Sequence, residues 1–195
     1  MQELRLVNCI ISPGRGLACI LTKCRNLEKI HLDMCIGLRD SDISLKVIAQ
    51  NCFMLEMLRI SFSDEEFASF SSFTLNRILS VIQNCPVREL ALDHVYLLTD
   101  IGMEALCSAQ HLETMELARC QEISNEGLQL SSWFPGLRVL RLRKCLGITN
   151  DGFRTLVGSY KLDFLAIEDC PQISERAIYG TARSISFRQD LSWMY

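Results

Sequence analysis

The stretch 137–153 reads LRVLRLRKCLGITNDGF, that is Leu137-x-x-Leu140-x-Leu142-x-x-Cys145-x-x-Ile148-Thr149-x-x-Gly152-Phe153. Twenty-five residues earlier the same frame returns as Leu112, Met115, Leu117, Cys120, Ile123, Ser124, Gly127 and Leu128. Twenty-five residues later it returns as Leu162, Leu165, Ile167, Cys170, Ile173, Ser174 and Ile178. A fixed period of about 20–50 residues marks stacked structural units, each too small to bury its own apolar face.

The frame extends back to the chain start, giving seven repeats that begin near residues 1, 27, 55, 87, 112, 137 and 162. Repeat one contributes Leu4, Leu6 and Cys9, and repeat two Leu27, Ile30, Leu32 and Cys35. Repeat three contributes Leu55, Leu58 and Ile60, and repeat four Val87, Leu90 and Leu92. Ser63 and Val95 stand in the cysteine position of repeats three and four, and repeat three carries the one large insertion, 63–74.

In each L-x-x-L-x-L core the fourth and sixth positions fall on one side and their neighbours on the other, the period of a strand. The I-S/T-D/N-x-G segment that follows places a hydroxyl at the start of a helix, so Thr99, Ser124 and Thr149 are expected to cap it. Apolar helix faces come next, as in Ile43, Val47 and Ile48, or Leu75, Ile78, Leu79 and Ile82. Strands joined by such crossovers run parallel. The frame resembles the leucine-rich repeat. The expected fold is therefore α/β, a right-handed horseshoe arc of about seven repeats making a single domain over 1–195. Ala182-x-x-Ile185-x-Phe187 fits a shortened eighth strand within a C-terminal cap, 179–195. Met1 already lies in a repeat strand, so an N-terminal domain is expected ahead of it, this chain being then a fragment or truncated isoform.

A net charge of -3 argues against nucleic acid as the partner, and 49% hydrophobic residues supply a sizeable core. No apolar run reaches the ~20 residues of a membrane helix, and no signal-peptide pattern opens the chain. Cys9, Cys35, Cys120, Cys145 and Cys170 share one frame position, while Cys24, Cys52 and Cys85 sit just ahead of the next strand. Both columns read as small buried residues, not as disulfides, metal ligands or nucleophiles, and no cofactor is expected. A reducing compartment, cytoplasmic or nuclear, follows. His31, His94 and His111 fall in separate repeats with no nucleophile beside them, so a non-catalytic chain is expected.

The whole frame, with a second cysteine ahead of the next leucine, resembles the cysteine-containing leucine-rich repeats found chiefly in F-box proteins. Those are the substrate receptors of Skp–cullin–F-box (SCF) ubiquitin ligases. The resemblance covers nearly the whole chain, best over 87–178. It implies a protein–protein interaction module of ubiquitin-dependent protein catabolism, holding a protein substrate on its concave face. The Skp adaptor and cullin would join only through an F-box, which this sequence lacks. Two other expectations stand beside it: a repeat-only adaptor without a ligase role, and a small-ligand receptor of the hormone-binding kind.

Outward strand positions supply the candidate contacts. Arg141, Arg143 and Lys144 of repeat six, with Arg119 beside them, make a basic patch suited to an acidic or phosphorylated peptide. Glu116, Glu168 and Asp169 flank it and offer cross-strand ion pairs instead. Met34, Met57, Arg59 and Phe62 form a softer row expected to expose apolar groups to a partner. The insertion offers Phe67 or Phe70 from a protruding loop.

Overall fold

In the first six repeats the core becomes a strand over its third to seventh positions, and in the seventh the strand begins at the first. The computed structural model describes residues 1–10, 16–35, 42–62, 72–95, 98–131, 134–154, 156–157 and 162–194. Phe67 and Phe70 lie outside the described residues. The fold is α/β, with parallel strands alternating with helices, in two compact units divided between Leu97 and Leu98.

In the first unit β1 (Glu3–Val7), β2 (Lys29–Asp33), β3 (Met57–Ser61) and β4 (Glu89–Asp93) lie side by side in chain order, all parallel. Leu4 is in register with Ile30, Leu58 and Leu90, and Leu6 with Leu32, Ile60 and Leu92. From β2 onward these side chains are at most 1% exposed, whereas Leu4 and Leu6 on the edge strand are half-buried. Full burial of one such side chain is worth about 1.5–3 kcal/mol. The crossovers are α1 (Gly16–Lys23), α2 (Asp42–Asn51) and α3 (Ser72–Asn84), with α2 packed on both neighbours. Their buried faces carry Leu21, Ile48, Ile78, Val81 and Ile82, while Val47 and Leu79 are half-buried. These helices grow from 8 to 10 to 13 residues as the repeats lengthen. The strand and its turn consume a constant length, so added residues extend the return.

In the second unit β5 (Thr114–Ala118), β6 (Val139–Arg143), β7 (Leu162–Glu168) and β8 (Ala182–Arg188) again lie parallel in chain order. Met115, Leu140, Leu165 and Ile185 share one register, and Leu117, Leu142, Ile167 and Phe187 the next. The short, constant repeat leaves little room for helix. α4 (Asp100–Leu106) and α5 (Asn125–Leu130) have 7 and 6 residues, and the last two returns shrink to 3-10 turns, Asn150–Phe153 and Glu175–Ile178. The eighth strand is not shortened: β8 has seven residues, as β7 has, because Leu162 to Glu168 give it a full-length template.

The capping expectation holds for two of its three residues. The Ser124 and Thr149 hydroxyls accept from the N–H groups of Glu126 and Asp151, at 3.1 and 3.3 Å. Thr99 makes no side-chain cap bond. The Asp or Asn that follows does something else. It reaches the next repeat: Asp100 accepts from the Ser124 N–H and hydroxyl at 2.9 and 2.6 Å, and Asn150 accepts from the Ser174 N–H at 2.8 Å.

Candidate interaction face

In every repeat but the third, where Phe62 stands, the eighth frame position ends the strand in a left-handed turn. Asn8, Met34, His94, Arg119, Lys144 and Asp169 have φ between 52° and 58°. L-residues other than Asn and Asp pay about 1–2 kcal/mol for that conformation. In Asn8, Met34, Arg119, Lys144 and Asp169 the turn aims the N–H at the last carbonyl of the next strand, as in Arg119 to Arg143 at 2.8 Å and Lys144 to Glu168 at 2.9 Å. It also swings the ninth residue inward. Cys145 then donates its thiol to Leu117 O at 3.5 Å and Arg143 O at 3.6 Å, and Cys35 bonds Leu6 O and Asp33 O in the same way, each at 3.5 Å. A small side chain with a weak donor suits that corner.

Beyond the inward columns, three rows cross the sheet of the second unit. Thr114, Val139, Phe164 and Ser184 form the first, Glu116, Arg141, Ala166 and Ser186 the second, and Ala118, Arg143, Glu168 and Arg188 the third. Neighbours within a row stand about 4.8 Å apart across the strands. Each arginine of β6 therefore has a glutamate on one side and an alanine on the other, in opposite order. Ala166 is 7% exposed and leaves a depression of about 230 Å³ lined by Glu116, Arg141, Leu142, Arg143, Ala166 and Glu168. The Arg141 guanidinium carbon lies 5.6 Å from the centroid of the Phe164 ring, within cation–π range.

The four residues of the basic patch separate into two pairs. Arg141 and Arg143 stand on the sheet face; Arg119 and Lys144 occupy the left-handed turns past the ends of β5 and β6. At the opposite end of the strands Asp163 bridges Arg138 at 3.3 Å and Arg183 at 3.1 Å.

The softer row of the first unit breaks. Met57 and Arg59 are half-buried on β3, and Met34 sits in the turn after β2, its sulfur accepting from the Ser61 hydroxyl at 3.5 Å. Phe62 belongs to the core, not to the face: it is 2% exposed and ranks among the largest buried side chains. An apolar side chain at the end of a strand gains more from that interior than from water.

The histidines stay apart. His31 Nε2 lies 3.6 Å from Glu3 Oε1, His94 is buried, and His111 is exposed. All ten cysteines are free thiols. Burial, with Cys24 nearby, pushes the Cys52 thiol up to about 11; burial, with Cys52 nearby, pushes Cys85 up to about 12. A hydrogen bond with the Cys170 thiol, together with burial, holds Cys145 well above the usual thiol range. Such thiols are poor nucleophiles and poor metal ligands. Among the described residues no group of three or more His, Cys, Asp or Glu is placed to hold a metal ion, and no helix is long and apolar enough to cross a membrane.

Sequence reasoning missed the hollow over Ala166, the Arg141–Phe164 stack and the left-handed turns. The hollow had a signal in the alternation of large and small outward residues across repeats. The turns had little: Asn8, His94 and Asp169 are types that tolerate positive φ, but Met34, Arg119 and Lys144 are not. No protein-family model matches the chain.

Proposed function

We propose that this chain is a non-catalytic protein-interaction module: the leucine-rich-repeat horseshoe of an F-box-type SCF ubiquitin ligase, holding a protein substrate on its concave sheet face. The observation that carries the reading is the division of labour within each strand. The fourth and sixth positions form continuous apolar columns, while the third, fifth and seventh change chemistry from repeat to repeat. A surface that varies over a constant scaffold is a recognition surface. The cysteine position, with its two carbonyl acceptors, supports the cysteine-containing class of repeat named above.

The test is to fuse the chain behind an F-box and to identify, by affinity capture and mass spectrometry, the proteins it retains from cytosol. The fused receptor should shorten the half-life of a captured protein, with reversal by a proteasome inhibitor. A captured protein whose turnover does not change in the presence of the fused receptor would overturn the ligase role and leave a repeat-only adaptor.

A further inference from the structure

We propose that the hollow over Ala166 is a carboxylate-recognition subsite, taking an Asp or Glu side chain from an extended protein segment laid across β6, β7 and β8. This deepens, and rests on, the reading that the chain binds protein on this face. Three features of the second unit support it.

Arg141 is held in place before any ligand arrives. Its guanidinium packs 5.6 Å over the Phe164 ring, which restrains the side chain and leaves the edge of the fork for a carboxylate. A pre-positioned planar fork loses less rotamer freedom for each hydrogen bond it forms. The row beyond it is open. From Arg141 the register runs to Ala166 and then Ser186, with Ser184 alongside, so small side chains leave a path about two strands wide toward the sheet edge.

The charge of the lining selects among anions. Arg141 and Arg143 are matched by Glu116 and Glu168 around the same depression, two cations against two anions. A doubly charged phosphate would meet both glutamates at close range. A singly charged carboxylate meets half the repulsion that a doubly charged phosphate would meet there, and the Arg141 fork matches its two oxygens. The site therefore favours an acidic segment that is not phosphorylated at the anchoring position.

The experiment screens the full chain against a positional-scanning library of fluorescent heptapeptides that contains Asp, Glu, Asn, Gln, Lys and phosphoserine at each position. Asp and Glu should be enriched at one position, with Asn, Gln and phosphoserine disfavoured there. Arg141→Gln should weaken the selected peptide by about tenfold or more, as expected for loss of a charge-assisted bond. Arg141→Lys, which keeps the charge but loses the fork and is the milder change for folding, should recover only part of that loss. Glu116→Gln should tighten binding by removing a competing anion. Absence of acidic enrichment, a preference for phosphoserine or lysine, or an acidic preference unchanged in Arg141→Gln or Arg141→Lys would overturn the subsite. Full-length protein partners captured by the native chain would in that case leave the broader interaction reading standing, and capture of none by the native chain would remove both.

Discussion

Asn125 grips Thr149 twice: its side-chain oxygen accepts the Thr149 backbone N–H at 2.8 Å, and its side-chain amide donates to the Thr149 hydroxyl at 2.9 Å. A like link joins Asp100 to Ser124 and Asn150 to Ser174, so three links tie four successive repeats into one polar ladder. The D/N of the frame thus serves the repeat after its own. Asn125→Leu keeps the approximate volume and strands the Thr149 N–H, and should cost about 1–3 kcal/mol. Urea denaturation followed by circular dichroism checks this; a change below the error of the midpoint would mean that water replaces the bond.

The ladder also explains the glycine that ends each motif. A Cβ on Gly152 would stand 2.7 Å from the Asn125 side-chain oxygen, and one on Gly127 would collide with an Asp100 carboxylate oxygen. Gly152→Ala and Gly127→Ala should therefore each destabilise by about 1–3 kcal/mol, although alanine is the better helix former. The telling measurement is the double mutant. Gly127→Ala with Asp100→Ala should cost less than the sum of the singles, because the second change removes the atom that the first one strikes.

Alkaline pH should loosen the first unit. Cys52 and Cys85 ionise only near 11 and 12 in the folded chain, against 9.0 for an ordinary thiol, because both are buried. The folded state therefore keeps protons that the unfolded state releases. That contribution to stability is complete below pH 9 and is lost as the pH rises through 11 to 12. The urea midpoint should fall between about pH 9 and pH 11 more steeply for the native sequence than for Cys52→Ala/Cys85→Ala. In native buffer a thiol reagent should label the exposed Cys19 first, and Cys52 and Cys85 only on unfolding.

The bridge from Asp163 to Arg138 and Arg183 should matter little. The two arginine side chains are 67% and 70% exposed, so solvent screens both pairs. Asp163→Asn is expected to cost no more than about 1 kcal/mol, an effect that disappears in high salt. A larger loss, insensitive to salt, would show that Asp163 acts through something other than these ion pairs.

Much of this molecule is legible in its periodicity. Leu140 and Leu142 recur at one spacing in seven repeats, and that spacing by itself determines parallel strands, two buried columns and short returns wherever the repeat is short. In the first unit even the helix lengths follow the residue counts, 8, 10 and 13 residues in successively longer repeats. Patterning has this reach because a period-two strand can bury its apolar positions on one side only.

What tertiary structure alone decided lies between repeats, where partners are some 25 residues apart in the chain. Nothing local to Asn125 says that it bonds Thr149 and does not cap its own helix. Nothing local to Phe62 says that it turns into the core, and nothing local to Ala166 says that it floors a hollow beside an arginine stacked on Phe164. Those outcomes depend on which side chains the register brings within about 5 Å of each other across the strands. Register is a property of the assembled sheet, set when all the apolar columns are buried together.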